Sequence, residues 1–130
     1  MLKLADTQIL KSAHDCSDGG LAIAIAECCF LSLGRNAIGA EIDLKAKNLS
    51  RETLLFGETP SRIVISFGPD DRDRIQTMVD DCPFEIIGRV RGTALTIKMD
   101  DSILISSPIR KLESAWKNSL ADQLEPVRNK

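Results

Sequence analysis

The sequence predicts an α/β (α+β) domain built on a mixed β-sheet sandwiched by helices. Three observations lead there. Dense or alternating apolar runs at 37–44, 62–67, 94–99 and 103–106 read as strands, and helix-compatible stretches punctuated by glycine, serine or proline lie between them. The short connection Arg91-Gly92-Thr93 joins two strand-like runs as a hairpin, so the sheet is mixed rather than all parallel. The arrangement is partly ferredoxin-like.

Each element has its local reason. Residues 3–12 read as a short helix with Leu4, Ile9 and Leu10 as contacts. From Gly19 to Leu33 the chain is helix-compatible and apolar on nearly every side, which predicts a helix covered on both faces and stopped at Gly34. AIGAEIDL (37–44) alternates as a strand, and Asn48 or Ser50 can cap a helix through Phe56 that ends at Gly57. RIVISF (62–67) is a β-branched strand. Gly68-Pro69-Asp70 opens a helix with Ile75, Met78 and Val79 on one face, which Cys82-Pro83 ends. Phe84 to Val90 and Ala94 to Met99 form the expected hairpin, and Asp100-Asp101 makes a further turn into ILIS (103–106). Ser107-Pro108 then caps and begins a helix carrying Ile109, Leu112 and Trp116.

At 130 residues the chain fits one domain, 1–130, and can bury a core without disulfides or metal staples. The end of the chain, 122–130, is expected to be a flexible tail. A formal charge of −2 gives no electrostatic footprint for nucleic acid. No apolar run approaches the roughly 18 residues of a membrane span, because Glu27 and Ser32 interrupt the longest. The start, MLKLADTQILKSA, lacks a signal-peptide layout, so the expected compartment is cytoplasmic.

Cys16, Cys28, Cys29 and Cys82 match neither a zinc framework nor a CxxC pair, and read as reduced small hydrophobes. His14 is the single histidine, which removes any multi-histidine metal site. No nucleophile has a positioned base by spacing, so no catalytic residue is assigned.

Two stretches carry chemistry. In HDCSDGGLAIAIAECC (14–29), Asp15, Ser17, Asp18, Gly19 and Gly20 precede a helix whose first amides lack partners. Those amides and the helix dipole favour phosphate, whereas Asp15 and Asp18 would repel it. A Mg²⁺ ion reconciles the two, since it takes one or two carboxylates together with phosphate oxygens and water. Simple capping by Ser17 or Asp18 is an equally physical reading, with His14 a hydrogen-bonded residue beside it. In LLFGETPSRIVIS (54–66), Glu58, Thr59 and Ser61 occupy a loop and Arg62 opens the strand. Arg62 can fork onto a phosphate, or pair with Glu58 and pin the turn.

Together and in this order, SAHDCSDGGLAIAIAE, LLFGETPSRIVIS and IIGRV resemble the C-terminal domain of the aminoimidazole ribonucleotide synthetase superfamily, over about residues 9–118. More narrowly they resemble its phosphoribosylformylglycinamidine synthase branch. The resemblance implies an ATP-dependent ligase of de novo purine synthesis. There, formylglycinamide ribonucleotide is activated by phosphoryl transfer and converted to formylglycinamidine ribonucleotide with ammonia from glutamine.

It implies ATP and Mg²⁺ as cofactors, with Asp15 and Asp18 on the metal. Ser17, Gly19, Gly20, Glu58, Ser61 and Arg62 fall on the nucleotide or phosphate, and His14 is a further motif residue. It also implies that the chain is a fragment, inactive alone. Its partners would be N-terminal domains of the same synthetase, a glutaminase subunit or domain and a small bridging subunit. In the family this domain occurs in two copies, and HDCSDGG with FGETPSR resembles the second, which in some members holds a structural nucleotide. Thr59-Pro60 departs from the usual serine-glutamine and removes a backbone donor, which weakens the case for substrate contact by this loop.

Two other functions fit the same residues. One is another ATP-using member of the superfamily, of the thiamine-monophosphate kinase or selenophosphate synthetase type. The other is a non-catalytic interaction domain that forms a homodimer or domain interface through helix 19–33 and its sheet.

Overall fold

The computed structural model describes residues 2–30 and 36–124. In chain order the elements are α1 (Leu2–Asp6), β1 (Leu10–Asp15), α2 (Gly20–Cys29), β2 (Ala40–Leu44), α3 (Arg51–Phe56) and β3 (Ile63–Phe67). A 3-10 turn (Pro69–Asp71) then leads into α4 (Arg72–Met78), β4 (Gly88–Val90), β5 (Ala94–Met99), β6 (Ser102–Pro108) and α5 (Ile109–Leu124). The α/β class with a mixed sheet is borne out.

The main sheet has the order β4-β2-β5-β6, with β2 and β5 parallel and the other pairs antiparallel. Alternation explains its buried face. Ala40, Ile42 and Leu44 of β2 and Leu95, Ile97 and Met99 of β5 point inward, and the parallel register sets them side by side as three rungs. They pack with α2, with Leu54 and Leu55 of α3 and with Ile109 of α5 in one core. Glu41, Asp43 and Lys98 stay exposed on the opposite face. A smaller core of Leu4, Ile9 and Ile75, with Phe67 and Phe84 against it, lies under β1 and β3.

The expected hairpin between 84–90 and 94–99 does not form. β4 is only three residues long and pairs with β2, which lies between β4 and β5. Two glycines permit this. A Cβ on Gly88 would meet the Glu41 carbonyl oxygen at 2.1 Å, and one on Gly39 the Ala94 oxygen at 2.4 Å. Strands lie about 4.8 Å apart, so residues 91–93 need to bridge only about 10 Å, which an extended link of that length can do. The real hairpin is β5–β6, turning at Asp100 and Asp101, both with positive φ (47° and 70°) as tight hairpin turns require.

The helix expected over 3–12 is also corrected. α1 stops at Asp6, Gln8 has φ 58°, and β1 follows as a strand paired with β3. Leu4 and Ile9 are buried as expected, but Leu4 lies in α1 and Ile9 in the connection just before β1. α2 covers Gly20–Cys29 and is buried on most sides; Leu33 and the expected stop at Gly34 lie outside the described residues. Ser50, not Asn48, caps α3: its Oγ accepts from the Thr53 N–H at 3.1 Å, and the helix ends at Gly57. Pro108 is the last residue of β6 rather than the first of the helix, because it pairs with Ala94. α5 runs through Leu124, so 122–124 of the expected tail are helical, and 125–130 lie outside the described residues.

Candidate functional site

The antiparallel β1–β3 ladder explains why two motifs distant in sequence meet. The acidic-glycine turn follows β1 directly and the Gly57–Ser61 loop directly precedes β3. Pairing of Asp15 with Ile63 and His14 with Val64 therefore brings both to one end of the ladder. One further bond extends it: the Cys16 N–H donates to the Arg62 carbonyl at 2.9 Å. The turn then winds through Gly19 (φ 77°) and Gly20 (φ 79°) into α2. Gly20 allows α2 to start against the end of α3, since a Cβ there would lie 2.6 Å from the Phe56 backbone.

The two motifs bond directly: the Gly19 N–H donates to Glu58 Oε1 at 3.1 Å. A carboxylate of the second motif thus occupies the start of α2, where the dipole favours negative charge. The capping alternative is corrected by this geometry. Neither Ser17 nor Asp18 caps α2, and the Ser17 hydroxyl donates instead to the Asp15 carboxylate. That hydroxyl is the main reason the Asp15 carboxyl is held below its ordinary range, with protonated His14 adding to it and desolvation opposing. The Glu58–Arg62 ion pair does not form either, because Glu58 is turned to Gly19.

Arg62 is half-buried, and its Nε and Nη2 atoms are closed to solvent without a hydrogen-bond partner among the described residues. Leaving such a donor unpaired costs about 1–3 kcal/mol, more when it is charged. Ser61, Glu58 and Asp18 are exposed, and Ser61 holds a left-handed backbone at φ 66°.

His14 faces α2. Its Nε2 lies 2.6 Å from Glu27 Oε2, and its Nδ1 lies 2.6 Å from the Asp15 carbonyl oxygen. The backbone carbonyl raises the imidazole pKa most, Glu27 raises it further, and burial opposes both. The protonated ring therefore ties β1 to α2. Because the folded pKa lies above the ordinary value, this stabilisation is full below that ordinary value and is lost as pH rises through the folded one. The melting temperature of the native chain relative to Glu27→Gln is expected to fall between mildly acidic and mildly alkaline pH. A difference that stays constant with pH would contradict this. Glu27 escaped the sequence reading as a site residue; the available signal was a lone acid inside an apolar helix.

All four cysteines are free. Burial pushes the Cys29 thiol up to about 11 and raises Cys28 as well, so both behave as packing groups rather than nucleophiles. Among the described residues no cluster of three or more His, Cys, Asp or Glu side chains could hold a metal. Asp15 and Asp18 therefore suit a Mg²⁺ ion only if phosphate oxygens and water complete its shell. A shallow depression of about 310 Å³ on α5 is lined by Arg110, Glu113, Ser114, Lys117 and Asn118, and no residue of either motif reaches it.

The family model described as "AIR synthase related protein, C-terminal domain" matches residues 1–100. Among curated proteins, the "Phosphoribosylformylglycinamidine synthase subunit PurL" of Methanococcus aeolicus is 34% identical over 125 residues, covering 94% of this chain and 16% of that protein. The chain thus spans about a sixth of the length of the curated relatives it matches. Among solved structures, "T. maritima PurL complexed with ATP" superposes with a TM-score of 0.70 at 17% identity, over 85% of this chain and 20% of that one. "T. maritima PurL complexed with FGAR" gives 0.68 at 17% identity, over 85% and 19%. At that identity the superpositions establish the fold.

Proposed function

This chain belongs to the AIR synthase related C-terminal domain family, and from that premise we propose that it is the C-terminal domain of a phosphoribosylformylglycinamidine synthase. The whole protein would be the cytoplasmic ATP-dependent ligase that makes formylglycinamidine ribonucleotide in purine synthesis. Its N-terminal domains, and a glutaminase that supplies ammonia, would be this chain's partners. The curated relatives favour this branch over the kinase and selenophosphate types. Among the described residues no helix is long and apolar enough to cross a membrane.

The observation that carries the reading is the direct bond between the two motifs, Gly19 to Glu58, at the end of the β1–β3 ladder. It supports reading the loop of Asp15, Ser17 and Asp18 and the loop of Glu58, Ser61 and Arg62, which meet at one end of the ladder, as a single site. In this reading the chain supplies one wall of a nucleotide pocket, and other domains supply the rest. Asp15 and Asp18 would hold Mg²⁺, which neutralises charge on the phosphates when bound. Ser17 fixes the Asp15 carboxylate in its charged form, and Glu58 holds the turn in shape.

In the full-length synthetase, combining Asp15→Asn with Asp18→Asn is expected to reduce nucleotide retention and raise the magnesium requirement about tenfold, because both carboxylates that would hold the ion lose their charge. Unchanged retention, magnesium dependence and turnover would refute the reading.

A further inference from the structure

Over its whole length, Gly20–Cys29, α2 carries a single charged residue, Glu27, and that side chain is only 26% exposed. A carboxylate so placed loses hydration unless a charged or hydrogen-bonding partner meets it. The partner is the His14 ring, with Nε2 2.6 Å from Glu27 Oε2. The other ring nitrogen, Nδ1, lies 2.6 Å from the Asp15 carbonyl oxygen and 3.7 Å from Asp15 Oδ1. Carbonyl and carboxylate oxygens only accept, so both nitrogens donate and the ring is held from two sides. His14 and Glu27 thereby clasp the two ends of the acidic-glycine turn. Asp15 ends β1, and Ser17 holds the carboxylate end of the same residue. Without Glu27 the ring is tethered at Nδ1 alone and can turn, carrying the Asp15 contact with it.

We propose that Glu27 is a positioning residue: through the His14 ring it sets the direction of the Asp15 carboxylate. The proposal rests on the reading that Asp15 and Asp18 hold Mg²⁺. Glu27 itself does not touch the ion, because its carboxylate is turned to His14. Groups that orient a metal ligand in this way account for about 10–100-fold in metal affinity. A purely structural ion pair behaves differently, since an apolar side chain of similar volume often replaces it without loss of stability. Glu27→Leu separates the two roles, because the rest of α2 is already apolar.

The test follows Mn²⁺, a paramagnetic substitute for Mg²⁺, by NMR of the 130-residue chain. The native sequence, Glu27→Leu, Glu27→Gln and His14→Leu are compared, each first checked for a cooperative melt. In the native chain Mn²⁺ should broaden the amides of residues 15–20 first. Glu27→Leu should weaken that binding about tenfold, with the melting temperature unchanged or raised. It should also shift the Asp15 carbonyl carbon resonance before any metal is added. Glu27→Gln, whose amide oxygen can still accept from Nε2, should stay within about threefold of native. If Glu27→Leu does not melt cooperatively, His14→Leu breaks the same chain of contacts and carries the same expectations. Native Mn²⁺ binding in a folded Glu27→Leu, or an unmoved Asp15 carbonyl resonance, would overturn the proposal and leave the Mg²⁺ reading standing. Glu27→Gln binding as weakly as Glu27→Leu would overturn it too, by showing that the contact to the ring is not what matters. So would a native chain that Mn²⁺ leaves unbroadened, and the Asp15/Asp18 double variant of the full-length synthetase then decides whether the Mg²⁺ reading falls with it.

Discussion

Replacing Gly20 with alanine should destabilise the domain by about 3 kcal/mol or more and lower its melting temperature by about 10 °C. Gly20 has φ 79°, a left-handed conformation that costs a non-glycine residue about 1–2 kcal/mol. Sterics add to this, because the new methyl would sit 2.6 Å from Cα and C of Phe56 and 2.9 Å from the Leu55 carbonyl oxygen. These are backbone atoms of α3 and cannot rotate away, so α2 and α3 must separate. Gly92 isolates the two contributions: its φ is 72°, but a Cβ there would meet nothing within 4 Å. Gly92→Ala should therefore cost only about 1 kcal/mol. Equal melting temperatures for the two alanine variants would show that α2 does not abut α3 as described.

Ile97→Ala should cost about 3–4 kcal/mol in denaturant unfolding, the range for a large aliphatic side chain removed from a core that collapses only in part. Ile97 is 0% exposed and lies on β5 between its neighbours Ile42 of β2 and Ile105 of β6. The next residue, Lys98, points to the opposite face and is exposed, so Lys98→Ala should change stability by no more than about 0.5 kcal/mol. Similar losses at both positions would contradict the inward and outward assignment of β5.

The legible parts of the fold were those whose reasons are local. Ser50 lies three residues before the amide it caps, the IVIS run is strand-like on its own, and β5 alternates plainly. β1 was not legible. Its inward residues are Leu10, Ser12 and His14, a weak apolar pattern, and its strand character comes from β3 far along the chain. The Ser12 and Ser66 hydroxyls, 54 positions apart, meet at 2.6 Å. The false hairpin had a similar cause: turn chemistry at Arg91-Gly92-Thr93 favours adjacent pairing, whereas β2 wins both partners by tertiary packing.

The site shows the same division. Asp15, Ser17, Gly19, Gly20 and Glu58 were recognisable as motif residues, and the structure joins their loops. That Glu58 would bond Gly19 and leave Arg62 without a partner depends on the β1–β3 ladder, which no short stretch of sequence encodes. Likewise His14 could be seen, but its partner Glu27 requires α2 to lie against β1.

The most direct test of a single phosphate surface built by both motifs is a backbone-amide NMR titration of this chain with pyrophosphate and Mg²⁺. Shifts concentrated at residues 15–20 and 58–62 together, and weakened in Arg62→Lys, are the predicted result. Shifts confined to one motif, or centred on Arg110, Ser114 and Lys117 of α5, would contradict it.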